Sequence, residues 1–151
     1  MLSETFSARQ VAYIAELPYQ TVDSWSKKYT KPSVQKASGR GSARVYSFLD
    51  VVLIRTISEL RKLGCSSVLS RSGSLKHLLR RTALHYVDRV VSEPTYIVMG
   101  PSNVLLTTHK PSEYLAAAQM SAVVIVNVPR VVAVCGERTT KSKTLNTRRK
   151  R

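Results

Sequence analysis

Gln20, Ser24 and Lys27 follow one another at spacings that, on a helix turning 100° per residue, project an amide, a hydroxyl and an ammonium from one face. Such groups donate to and accept from base edges in a major groove. Val22, Trp25 and Tyr29 fall on the opposite face as an apolar anchor. The stretch Leu17 to Lys31 therefore reads as a short helix, held from beneath and polar and basic above, whose outer side can enter a groove. Thr21, Lys28 and Tyr29 stand at the margins of that face, and Lys27, Lys28 and Lys31 are candidates for phosphate contact. Trp25, opposite Gln20 and Ser24, is read as a core anchor rather than a base-stacking group.

Composition points to the same kind of partner. The chain of 151 residues carries a formal charge of +15, which favours a polyanion through phosphate contacts and counterion release. Double-stranded DNA is the expected partner, and an anionic membrane surface the weaker option. With 43% hydrophobic residues the chain can bury a core in one compact domain or two small ones. Cys65 and Cys135 lie far apart with no His or Cys at metal-ligand spacing, so they are expected as reduced thiols, with no metal site and no cofactor. His77, His85 and His109 are not arranged beside a nucleophile, and Ser74-Leu75-Lys76-His77 lacks an acid partner and an oxyanion turn. No catalytic constellation is expected. The start of the chain lacks a signal-peptide pattern, and the run Ala122 to Val126 is too short to span a bilayer, so a cytoplasmic, nucleoid-associated protein is expected.

The elements that must position the polar helix follow in order. Ser7 and Gln10 have capping-box spacing and open a helix to about Glu16, with Val11, Ala12, Ile14 and Ala15 available for a core. Pro18 suits the first turn of the next helix, so the two form a helix-turn-helix. After Pro32, the glycines and cations of SVQKASGRGSARVYS suggest a basic hairpin, with Val34 and Val45-Tyr46 as its strands and Gly39 and Gly41 at its tip. Arg40, between those glycines, can reach into a minor groove, while Lys36 and Arg44 suit backbone phosphates. Ser47 and Asp50 again mark a helix start, and Gly64 caps its end.

This order of pieces resembles the winged helix-turn-helix of the MerR superfamily. The residues that carry it are Thr21-Val22-Asp23-Ser24-Trp25, Tyr29-Thr30-Lys31-Pro32, Arg44-Val45-Tyr46-Ser47, Asp50-Val51 and Leu60-Arg61-Lys62-Leu63-Gly64, covering roughly Thr5 to Leu69. The resemblance implies a DNA-binding transcription factor whose second helix enters the major groove while the wing touches backbone or minor groove. Two positions depart from it: many members have an arginine where this chain has Asp23, and a glycine where it has Glu16. Asp23 can accept from a cytosine amino group or pair with Lys27; the intrahelical pair is the preferred reading.

Beyond this domain, assigned to residues 1–69, linking helices are expected from Ser66 to Val91, split at Ser72-Gly73-Ser74 and ended by Pro94; residues 70–93 form the link. One helix carries a stripe of Leu75, Leu78, Leu79, Tyr86 and Val87. Residues 94–137 suggest a small β-β-α-β module for self-association: strands at Thr95 to Met99 and Val104 to Thr108, a short helix from Pro111 to about Met120, and a strand at Ala122 to Val128. Pro129 to Cys135 continues as a short helix or strand. Residues 138–151 hold seven cations, no acid and little apolar content, and read as a disordered basic tail. The fold class is α+β. The expected function is a sequence-specific, dimeric or oligomeric regulator acting by operator occupancy. The alternatives are an architectural or recombination accessory factor, or an antitoxin-like module whose C-terminal part binds a protein partner.

Overall fold

The computed structural model describes residues 4–35, 43–88, 96–99, 105–108, 112 and 124–148. The hairpin tip with Lys36, Gly39, Arg40 and Gly41, the stop at Pro94, His109 and nearly all of the helix expected from Pro111 to Met120 lie outside the described residues.

A short strand, β1 (Thr5–Ser7), leads directly into α1 (Ala8–Ala15), where the expected capping box forms: the Gln10 amide donates to Ser7 Oγ and the Ser7 amide to Gln10 Oε1. Val11, Ala12, Ile14 and Ala15 are buried. The helix ends at Glu16 in the left-handed region, with φ 54° and ψ 47°, and the Leu17 amide closes the turn on Ala12 O at 3.0 Å. This is the position where the resemblance led one to expect glycine, which adopts that conformation without a Cβ penalty. Pro18 then caps α2 (Tyr19–Lys28) through its carbonyl, which accepts from the Thr21 and Val22 amides.

The strand β2 (Val45–Ser47) pairs antiparallel with β1, placing Phe6 opposite Tyr46. Of the expected hairpin the described residues hold the root, where Gln35 and Val45 form an antiparallel bridge with reciprocal amide-to-carbonyl bonds of 3.0 Å; Val34 beside it is exposed and outside any strand. The pairing with β1 buries Phe6 and Tyr46 on one side of the ribbon. A second capping box, Ser47 with Asp50, starts α3 (Phe48–Lys62). This helix is buried over most of its circumference and packs against α1, α4 and α5. Gly64, at φ 88°, ends it as expected, with the Cys65 amide reaching back to Leu60 O.

A single 3-10 turn (Ser66–Leu69) leads to α4 (Ser72–Asp88), so Ser72-Gly73-Ser74 forms a first helical turn rather than a break. Leu75 and Leu79 are buried and Leu78 is half-buried. The strands β3 (Tyr96–Met99), β4 (Leu105–Thr108) and β5 (Val124–Asn127) form an antiparallel sheet in the order β4-β3-β5, in keeping with the expected β-β-(α)-β order.

The largest correction concerns the C-terminus. Instead of a disordered tail, residues 138–148 continue a helix, α5 (Val128–Arg148), that starts directly after β5. Its first turns bury Val128, Val131 and Cys135, which join Ile97 and the helix-turn-helix residues Val11, Ile14, Trp25 and Ile54 in one continuous core. Composition alone argued against a fold there; docking of the apolar first turns, and of Arg138 further along, carries the polar remainder into a helix. The low charge of the preceding module is thus used partly for packing onto α1 and α3.

Both cysteines are buried free thiols, and burial pushes the Cys135 thiol up to about 12. In the folded protein at about pH 8, neither is expected to react with a soluble aromatic disulfide within minutes, and both react after denaturation. Rapid colour release from the native protein would contradict this burial.

Candidate nucleic-acid interface

The helix α2 stands on α1 through Val22 and Trp25, which are 0% and 9% exposed. Above them Gln20, Ser24, Lys27 and Lys28 are exposed, as is Lys31 beyond the helix end, while Thr21 is half-buried. The structure thus sets these side chains on the outer side of α2, with Lys27 and Lys28 in the last turn, where cations complement the helix dipole. Tyr29 departs from the apolar stripe: it lies past the last turn and is exposed, and Ser26 takes the third buried position. Exposed Tyr19, next to Gln20, is a further aromatic at the helix start that periodicity did not single out.

Ser26 is buried because its hydroxyl is satisfied twice. It donates to Val22 O at 2.6 Å and accepts from Tyr46 Oη at 2.7 Å. This pins α2 to β2 through a dry polar contact, and burial pushes the Tyr46 phenol above its ordinary pKa. Nothing in helical spacing predicts it, because Ser26 looks like a surface residue until Tyr46 is placed against it.

Asp23 pairs with Lys27 four residues on, at 2.7 Å, as the sequence suggested, and also with Arg44. Lys27 and Arg44 hold the Asp23 carboxyl below its ordinary pKa. Arg44, expected on a phosphate, is half-buried and engaged with this carboxylate. The trio ties the outer face of α2 to the residue that leads into β2. Lys36 and Arg40 lie outside the described residues.

Below the interface, Asp50 gathers the surrounding segments. Its carboxylate is 1% exposed and accepts from the Ser33 amide at 2.9 Å and the Ser33 hydroxyl, from the Ser47 amide at 2.9 Å, and from Lys76 Nζ of α4 at 2.9 Å. Burial pushes this carboxyl up, but the hydrogen bonds from Ser33, Lys76 and Ser47 outweigh it and leave the pKa below the ordinary aspartate value. Ser72, also on α4, donates to Tyr29 O at 2.8 Å. The end of α2 is therefore held by α4 directly, and the Ser33 segment through Asp50. The capping-box position of Asp50 was the one signal in the sequence; its links to Ser33 and Lys76 were not legible.

The model of the MerR HTH family of regulatory proteins matches residues 6–67. That span contains α1, the turn at Glu16, α2, β2 and α3. Residues 6–67 are a MerR-family helix-turn-helix domain. The chain is 35% identical over 54 residues to uncharacterized HTH-type transcriptional regulators of Mycobacterium tuberculosis and Mycobacterium bovis. Those 54 residues are 35% of this chain and 24% of each relative, so the chain spans about a quarter of the length of the curated relatives it matches. The MerR-family domain ends before α4, so α4, the sheet and α5 belong to the part of the chain without such a match. Among the described residues, no cluster of His, Cys, Asp or Glu could hold a metal ion, and no helix is long and apolar enough to cross a membrane.

Proposed function

We propose that this protein is a sequence-specific DNA-binding transcription regulator in which the outer face of α2 reads the major groove. The observation that carries the reading is the combination in α2 of an exposed amide, hydroxyl and ammonium at Gln20, Ser24 and Lys27 with a base fixed by Trp25 and the Ser26–Tyr46 contact. Rigid support is what base readout requires, because a bidentate amide discriminates only when its geometry is held. Thr21, Lys28, Tyr29 and Lys31 flank this face, Lys36 and Arg40 of the wing approach the adjacent backbone or minor groove, and Arg44 acts through Asp23 as well as through its charge. The relatives' names, as HTH-type transcriptional regulators, support the same reading. Self-association through the C-terminal sheet and helix would present two such faces to paired half-sites, and operator occupancy is then the simplest means of repression.

Selection of bound duplexes from a random pool tests this directly. The wild-type chain is expected to enrich one motif. Gln20→Ala is expected to relax that motif at one or two positions and weaken binding by about ten- to a hundredfold. Arg40→Ala is expected to weaken binding, to reduce the preference for sequences with a narrow minor groove beside the motif, and to lower the salt slope by about one. An unchanged motif in Gln20→Ala would sink readout by this helix.

A further inference from the structure

The turn between α1 and α2 rests on Glu16, the one non-glycine residue with positive φ among the described residues. A left-handed backbone brings the Cβ of an L-residue against its own carbonyl, so such a residue persists only where its surroundings hold it. Two arginines from different elements do so. Arg55 of α3 donates through Nη1 to Ala15 O at 3.3 Å and to the Glu16 carboxylate, while its Nε is braced by Glu59 at 2.9 Å. Arg138 of α5 donates through Nη1 to Tyr13 O at 3.1 Å and through Nη2 to the other Glu16 oxygen, with its guanidinium 5.8 Å from the Tyr13 ring centre. Each guanidinium thus spans a backbone carbonyl at the end of α1 and the carboxylate of the turn residue, a use of the rigid fork that a lysine cannot copy.

We propose that Arg138 is a positioning residue for the reading face of α2: with Arg55 it clamps Glu16 in the left-handed turn that sets α2 against α1. The proposal rests on the reading of α2 as the DNA-contacting helix. Its consequence is that the C-terminal helix, outside the MerR-family domain, is part of what aims that domain. An isolated exposed ion pair contributes little. This one differs because both arginines also hold backbone at the turn, and because a glycine at position 16 makes the clamp unnecessary, since glycine occupies the left-handed region unaided.

The test is a two-by-two comparison in the full chain: wild type, R138Q, E16G and E16G/R138Q, each titrated against the duplex selected by the wild type across a salt series. R138Q is expected to bind about tenfold more weakly than wild type, with an unchanged salt slope because Arg138 acts on the turn and not on a phosphate. In the E16G background the same substitution is expected to change affinity by less than about twofold. Equal losses in the two backgrounds, no loss in either, or a smaller salt slope in R138Q overturns the proposal. Hydrogen exchange of the Glu16 and Leu17 amides without DNA gives a second readout, expected to be about tenfold faster in R138Q than in wild type and insensitive to the substitution when residue 16 is glycine. If the wild type selects no sequence, the DNA reading fails, and the exchange comparison still decides the clamp. Should R138Q not fold, R138K, which keeps the charge and loses the fork, is carried through the same cycle.

Discussion

Asp50→Ala is expected to lower folding stability by about 3 kcal/mol, because it strips a buried carboxylate from several donors at once and leaves Lys76 without its counterion. The Ser33 and Ser47 amides are left without an acceptor, and α3 loses half of its capping box. Asp50→Asn, which keeps the shape, is expected to cost less, about 2 kcal/mol. The pH dependence follows from the depressed pKa. The folded protein binds this proton less readily than the unfolded chain, so the stabilisation is fully present above the ordinary aspartate value and is lost as pH falls through the folded value, below about pH 4. Denaturant titrations at neutral pH and near pH 3 check this. Wild type should lose stability over that interval, and the gap between it and Asp50→Asn should narrow. A gap that stays constant would show that the carboxylate is not the group being protonated.

Trp25→Ala is expected to cost about 4 kcal/mol, the usual range for truncating a buried aromatic. The indole is 9% exposed beneath α2 and carries the Arg61 guanidinium 5.8 Å from its ring centre. Because the cavity opens directly under the proposed reading face, DNA affinity should fall on all sequences together, whereas Gln20→Ala is expected to alter preference. The guanidinium-chloride midpoint measures the stability change and a duplex competition series the uniformity. A near-normal midpoint with lost DNA binding would instead mean that the indole stacks on the nucleic acid, and the support assigned to it here would be wrong.

Much of the candidate interface's framework was legible because its cues are local. Capping boxes at Ser7 and Ser47, the proline before α2, the helical spacing of Gln20, Ser24 and Lys27, and Gly64 at a helix end are all set within a few residues, where backbone hydrogen bonding and periodicity act. The Asp23–Lys27 pair belongs to the same class. What escaped were contacts across long sequence separations. Ser26 and Tyr46, Ser33 and Asp50, and Ser72 and Tyr29 have no shared period, and a serine or tyrosine looks like surface until its partner removes it from water. Val34 was taken for a strand residue on its β-branched propensity, but the bridge to β2 forms at Gln35 and Val34 is left exposed.

The sequence by itself determined the α+β class, the helix-turn-helix, the polar outer side of α2 and the strong positive charge, because each follows from composition or from neighbours within one or two turns of chain. Only the tertiary structure decided that the basic C-terminal stretch is helical through Arg148, and that Arg138 reaches Glu16 across the whole chain. Polar sequence cannot stabilise a helix in isolation, so whether it folds depends on the surface it meets. Here α1 and α3 supply that surface.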